Sequence, residues 1–359
     1  MSKRIATIFV FIGALAAPGL QPHAGSAAAA QATPAQTGIA TPSVLPSLSG
    51  KGPSEALAVD EAGTVIVGYS WDRFDVMHAV KWTLQNGSWV ITSLPHAISA
   101  TSAIARGVNN QGDAAGNDFP SSTSHPILWP AAGGFIDLGC EDAVGPATVH
   151  AISAGRQIVV GQQGSAATVW QPGSCGVDLP PIVDGSSAGA RAVNGDGTIV
   201  GGRAAADLPN SFTVPVRWTF IDGQWQIEQL DTRPGLAYGA NAVGDLAGFV
   251  SIPCAPDGGC QRAVIWYAAG GSFDLDTLGG AHSWARDING SGEVVGLSTA
   301  PRGVNTGFFW SASSGMLQLP SKGGWAAANG VSDVRPDGTR LVVGMSSQGV
   351  AIVWVVRNP

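Results

Sequence analysis

The sequence predicts an all-β fold, a seven-bladed β-propeller with four-stranded blades, and three observations predict it. First, one pattern recurs seven times: a small-residue segment, a Gly-containing turn, an apolar run ending in Gly, a variable stretch, an apolar run ending in Trp, and a short strand ending in Leu. Second, the run-ending glycines, read as Gly68, Gly116, Gly161, Gly201, Gly248, Gly296 and Gly344, recur at intervals of 40–48 residues. A period in the forties with four strand-like pieces per unit is the signature of a propeller. Third, runs such as Thr64–Val67, Ala263–Trp266 and Val350–Trp354 are apolar without alternation, so both faces of each sheet must be covered. A blade held between two neighbours meets that requirement, and the blades must stack and close.

The elements follow in order within each unit. In the sixth copy strand A is expected over Ala285–Ile288, B over Val294–Leu297, C over Gly307–Trp310 and D over Met316–Leu319. The A–B turns read Asn109–Gly112, Asn194–Gly197, Asn241–Gly244 and Asn289–Gly292, residues that tolerate positive φ and make tight turns. A calcium loop at Asn194–Gly197 lacks the further carboxylates it would need. The matching tryptophans, Trp82, Trp129, Trp170, Trp218, Trp266, Trp310 and Trp354, are expected in the core. The seventh copy stops after its C strand, whereas Ser43–Leu48 resembles the D strands Trp89–Leu94 and Met316–Leu319. The N-terminal strand is therefore predicted to complete the last blade, which removes exposed sheet edges.

Residues 1–30 read as a signal peptide: Lys3 and Arg4, an apolar stretch from Ile5 to Ala17, then small residues. That stretch is too short to span a bilayer comfortably. Residues 31–42 read as a flexible linker rich in Ala, Gln, Thr and Pro, and residues 43–359 as the propeller. The expected location is secreted, extracellular or periplasmic. Four cysteines fit an oxidising compartment. Cys254 and Cys260 flank a turn sequence, which leaves Cys140 with Cys175, at the same outer position in adjacent units. A formal charge of −7 without basic clusters repels phosphates and anionic lipid, so neither nucleic acid nor a lipid surface is expected as a partner, and no membrane span is expected because no other segment is apolar for long enough. A monomer is expected.

Strand direction reverses at each connection, so A–B and C–D turns share one face and B–C and D–A connections the other. Length variation concentrates in the B–C connections, which makes their face the candidate recognition surface. Its candidate ligand-binding residues are Trp71, Asp72 and Arg73 from the first B–C loop, Arg203 from the fourth, Arg302 from the sixth, and His282, Trp284 and Trp325 from D–A connections. Asn117 and Asp118 are expected on the second B–C loop. Loop Trp, Arg and Asp residues stack on and hydrogen-bond sugars or peptides; packing of loop against loop is the competing role. His78 and His125 occupy repeat positions suited to blade packing or a loop hydrogen bond. No nucleophile elbow, Walker loop, zincin motif or dinucleotide fingerprint is present, and no catalytic residue, metal site or cofactor is expected.

Three linked motifs, Ala285–Ser298, Met77–Trp82 and Asp274–Gly280, make the repeat resemble the HAF family, described as an extracellular repeat of bacteria. The resemblance covers most of residues 43–359 and implies an exported propeller; His is kept only at His78 and His125. The leading function is a non-catalytic binding or interaction module for a glycan, peptide or protein. The alternative is a propeller hydrolase or lyase with a funnel site, which would require carboxylate, His or Arg side chains from several blades to converge in the centre.

Overall fold

The computed structural model describes residues 38–96, 100–120, 124–140, 145–207, 212–254 and 258–357. The region read as a signal peptide lies outside them. Two short strands come first, β1 (Gly38–Ile39) and β2 (Ser43–Val44). Blade 1 is β3 (Ser54–Val59), β4 (Val65–Trp71), β5 (Met77–Gln85) and β6 (Ser88–Ser93). Blade 2 is β7 (Ala103–Val108), β8 (Ala114–Asp118), β9 (His125–Trp129) and β10 (Ile136–Asp137). Blade 3 is β11 (Ala147–Ile152), β12 (Val159–Gln163), β13 (Ala166–Gln171) and β14 (Ser174–Asp178). Blade 4 is β15 (Ala188–Val193), β16 (Ile199–Ala205), β17 (Thr213–Ile221) and β18 (Gln224–Gln229). Blade 5 is β19 (Gly235–Ala240), β20 (Leu246–Cys254), β21 (Gly258–Trp266) and β22 (Ser272–Asp274). Blade 6 is β23 (Ser283–Ile288), β24 (Val294–Thr299), β25 (Asn305–Ser311) and β26 (Gly315–Gln318). Blade 7 is β27 (Ala326–Val331), β28 (Thr339–Ser346) and β29 (Ala351–Arg357).

Every blade is an antiparallel A-B-C-D meander. Blade 7 takes its outer strand from the N-terminal side: Ser43 pairs with Val353 and Val44 with Ile352. Pairing begins earlier than Ser43, because Gly38 and Ile39 also lie against Arg357 and Val356. The predicted closure is therefore present, and the molecule is a seven-bladed propeller.

Apolar strands on both faces produce seven buried clusters, one at each seam between blades. Blades 7 and 1, for instance, share Leu45, Ala56, Ile66, Val80 and Trp82 with Leu341, Val343, Ala351 and Val353. All seven repeat tryptophans are buried. Four of them also reach across a seam. The indole Nε1 of Trp82 donates to the Pro46 carbonyl at 2.7 Å, that of Trp129 to Pro95 at 2.5 Å, that of Trp218 to Pro180 at 2.8 Å and that of Trp354 to Pro320 at 2.8 Å. Each acceptor follows the Leu that ends the preceding D strand. The Trp82 clasp fastens blade 1 to the closing strand of blade 7.

On the opposite face the A–B turns are tied from blade to blade. Asn289 shows why Asn recurs there: Oδ1 accepts from Ser291 N and Glu293 N, while Nδ2 donates to Glu293 Oε2 and, across the seam, to the Ser332 carbonyl at 3.0 Å. The disulfides are Cys140–Cys175, joining the outer edges of blades 2 and 3, and Cys254–Cys260 within blade 5, as expected.

The B-strand glycine has a specific cause. Each A strand carries a one-residue bulge, and the Gly pairs with the residue just before it, as in Ala56↔Gly68. A Cβ on this glycine would stand 1.8–2.2 Å from an A-strand carbonyl oxygen in all seven blades, closer than any side chain permits. In blade 4 the glycine in this role is Gly202, opposite Ala190, and not Gly201 as the sequence pattern had it. Two adjacent glycines hide the register until the pairing is known.

Candidate functional site

The bulges matter because of where they sit. A strands ring the central channel, and a bulged residue is turned out of the ladder. The seven are Leu57, Arg106, His150, Arg191, Tyr238, Arg286 and Asn329. All seven line a central cavity of about 180 Å³ that extends to the A–B turn residues Glu61, Gly195, Gly290 and Asp333. Three guanidinium groups, an imidazole, a phenol and an amide therefore meet in one girdle.

The girdle is unevenly compensated. On one side Arg286 Nη1 donates to Asn329 Oδ1, and Asn329 Nδ2 donates to Glu55 Oε1 at 2.9 Å and to the Ala56 carbonyl at 2.8 Å. Tyr69 donates to Glu55 Oε2 at 3.2 Å, and burial with the Glu55 charge pushes its phenol up to about 12. On the other side Arg191 Nη1 lies 3.3 Å from His150 Nδ1. Burial draws Arg106, Arg191 and Arg286 below their ordinary value; Glu55 opposes this at Arg106 and Arg286, whereas Arg203 and Arg106 reinforce it at Arg191. Burial and then Arg191, Arg106 and Arg203 hold His150 well below its ordinary value. Its imidazole is thus neutral at neutral pH, and Nδ1 accepts from Arg191. The Nε groups of Arg106 and Arg191 are buried with no hydrogen-bond partner among the described residues. Buried donors without acceptors are costly.

Acidic groups occupy the turn side of the same cavity. Asp287 accepts from Val331 N and Ile288 N, both at 2.9 Å. Burial, with Asp333 and Glu61 nearby, pushes its carboxyl up to about 7. Among the described residues no group of three His, Cys, Asp or Glu side chains is placed to hold a metal ion.

A second cavity, of about 480 Å³, opens on the B–C and D–A face. Leu297 and Val304 of blade 6, Ala327 and Met345 of blade 7, and Trp325 wall it; Glu55, Arg286 and Asn305 supply its polar groups. Arg286 lines both cavities.

The sequence-predicted residues do not form one cluster. Trp325 lines the second cavity, and Arg302, exposed with φ 80°, lies on the loop leading to Val304. His282 and Trp284 stack with ring centroids 5.5 Å apart, and His282 Nδ1 accepts from Gln261 N. Trp71 ends β4, and Arg73 is exposed over the Phe74 ring. Asp72 holds its own loop, accepting from Phe74 N and Val76 N and facing His78 Nε2 at 3.1 Å. The Val76 amide leads the groups that keep its carboxyl low. Five residues lie in strands and not in the expected loops, Trp71 at the end of β4 among them. Arg203 lies within β16, where its charge reaches Arg191 and His150. Trp284 lies within β23. Asn117 and Asp118 end β8 and are buried, with Asn117 Nδ2 donating to the Ala147 carbonyl of blade 3. Longer strands absorbed what looked like loop.

No protein-family model matches the chain, and no curated protein is significantly similar to it. Solved structures do resemble it. Virginiamycin B lyase from Staphylococcus aureus aligns with a TM-score of 0.54 at 8% identity, over 88% of this chain and 99% of that one. The β-propeller domain of the Trilobed protease from Pyrococcus furiosus gives 0.51 at 10% identity, over 86% and 95%. The lectin BP39L from Burkholderia pseudomallei gives 0.50 at 13% identity, over 86% and 99%. The shared fold is the β-propeller. At such identities the likeness extends to the fold alone.

Proposed function

We propose that this chain is an exported, HAF-type binding propeller that anchors an acidic group of a glycan, peptide or protein ligand at its central girdle. One observation carries the reading: Arg106 and Arg191 line the same cavity, each with a buried Nε that has no partner among the described residues. Glu55 acts on Arg106, whereas the charges felt at His150 are those of Arg191, Arg106 and Arg203, and Arg203 and Arg106 add to the burial of Arg191, in a chain that is acidic as a whole. The two disulfides and the signal-like N-terminus support export. The fold does not choose between binding and catalysis, since the similar structures include a lectin and a lyase.

Binding to an array of acidic and neutral glycans and peptides tests the reading. Acidic members should bind, and Arg191→Ala and Arg106→Ala should each weaken binding at least tenfold. Retention by both variants would refute it. Trp71→Ala and Trp284→Ala report whether the outer loops also contribute. The hydrolase or lyase alternative has its own support, because His150, Tyr238 and Asp287 line the cavity with the arginines. Cleavage products from any array member, abolished by His150→Ala, would favour it.

A further inference from the structure

We propose that the second cavity is a subsite for a hexuronic acid unit of a glycan, with the sugar ring against Trp325 and its carboxylate on Arg286. This rests on the reading of the girdle as an acid-binding centre and names the ligand class.

Size separates the two cavities. The central one is the smaller, at about 180 Å³. The second, at about 480 Å³, falls within the roughly 300–1,000 Å³ of small-molecule sites. Its rim leaves large apolar groups in water: Trp325 is 38% exposed and Val304 49%. An exposed indole beside aliphatic walls suits the CH face of a pyranose.

The polar groups decide the class. Arg286 carries five N–H donors, and among the described residues one is committed, to Asn329 Oδ1. The remainder can fork onto a planar carboxylate. Glu55 stands in the same cavity and accepts from Asn329 and Tyr69. Each carboxylate oxygen still has acceptor capacity. A fatty or aromatic acid would strip water from Glu55 and return nothing, which is unfavourable. A ligand that brings hydroxyl donors beside its carboxylate satisfies Glu55 and Arg286 together. A uronic acid has that pairing on one ring, with an apolar face for Trp325. Asn305 adds an amide for a further hydroxyl.

Calorimetry with the full chain would use trigalacturonic acid, with galactotriose as the neutral control. The acid trimer should bind at least tenfold more tightly than the neutral one. Trp325→Ala and Arg286→Lys should each weaken it at least tenfold, and Trp325→Phe should restore most of the loss. Trp325 is exposed, so its variants keep the question answerable if Arg286→Lys misfolds; melting curves check folding. Equal binding of both trimers, no binding of the acid trimer, or indifference to Trp325→Ala would each overturn the proposal. Thermal stabilisation by inorganic sulfate separates the two readings. If sulfate stabilises the wild type but not Arg191→Ala while the acid trimer fails, the uronate subsite falls and the girdle stands. If both fail, both readings fall.

Discussion

Two seams of the ring are built from the same repeat and are not equally strong. The seam between blades 3 and 4 buries thirteen apolar residues, and Trp218 clasps the Pro180 carbonyl across it. The A–B turns also meet there, with Gly155 N donating to the Gly195 carbonyl at 2.7 Å. The seam between blades 4 and 5 buries five apolar residues, and the Trp266 Nε1 is buried without a partner among the described residues. A bond from Arg217 Nη2 to the Tyr267 carbonyl, at 3.1 Å, ties it instead. The difference traces to one residue after the D-strand Leu. Each of the four clasps lands on Leu-Pro. Blade 4 has Leu230-Asp231, and Asp231 turns inward to hold Arg233, with Nη2 at 2.6 Å and N at 2.9 Å. A conformationally fixed Pro therefore marks where a ring seam is fastened, and its replacement marks where the ring is weaker.

The largest expected effect tests the core itself. Trp218→Ala should cost about 3–5 kcal/mol and Trp266→Ala less, because fewer neighbours lose contact. Trp325→Ala should stay within about 0.5 kcal/mol, as for a surface site. Denaturant titration measures all three, and equal losses at Trp218 and Trp266 would break the comparison.

Next come the covalent staples. The Cys140–Cys175 bond closes a separation of 35 residues and Cys254–Cys260 one of 6. Chain entropy then gives about 4 kcal/mol for the first and about 2 kcal/mol for the second. Paired Cys→Ser replacements should rank in that order by melting temperature.

The blade 6–7 seam adds a pH test, because Asp287 bridges to Val331. Its carboxyl ionises at about 7 when folded, against an ordinary 3.8. A raised folded value means that the contribution is complete below about pH 4 and is lost as the pH climbs to about 7, by on the order of a few kcal/mol. Asp287→Asn should flatten that part of the stability profile. An unchanged slope would show that the ionised group is solvated.

The smallest effect sharpens the comparison most directly. Trp→Phe removes the indole N–H at either seam. At Trp218 it breaks a bond and leaves an acceptor; at Trp266 it removes an unsatisfied donor. Trp218→Phe should therefore cost about 1–2 kcal/mol more than Trp266→Phe.

The architecture was legible because its causes repeat. Period, Trp and Leu recur in every blade and the turn Asn in four of them, so the copies reinforce one reading, and even the closing strand could be matched to its D-strand counterparts. The girdle was not legible, because its residues vary from blade to blade: Leu57, Arg106, His150, Arg191, Tyr238, Arg286 and Asn329 share a position, but only the three arginines share a chemistry. The signal was nevertheless present. The B-strand Gly was read as the end of an apolar run, whereas it marks the carbonyl pushed forward at a bulge. The variable residue flanked by small ones on strand A is the one sent into the channel. Trp71, Arg203, Asn117 and Asp118 read as loop because a B strand that continues past its Gly leaves no change of pattern in the sequence, and Trp284 because strand A begins ahead of its small-residue segment.

The closing strand carries a consequence for how the molecule comes to be. β1 and β2 pair with β29, nearly a whole chain length away, so the seventh blade stays one strand short until both ends of the propeller are available. Pairing over such separations is slow, since loop entropy is lost before any contact forms. Until it happens β29 offers a bare apolar edge to other copies. Ring closure should be the late event in refolding, read as a slow phase in Trp82 fluorescence, because the Trp82 clasp acquires its acceptor, Pro46, when that segment docks.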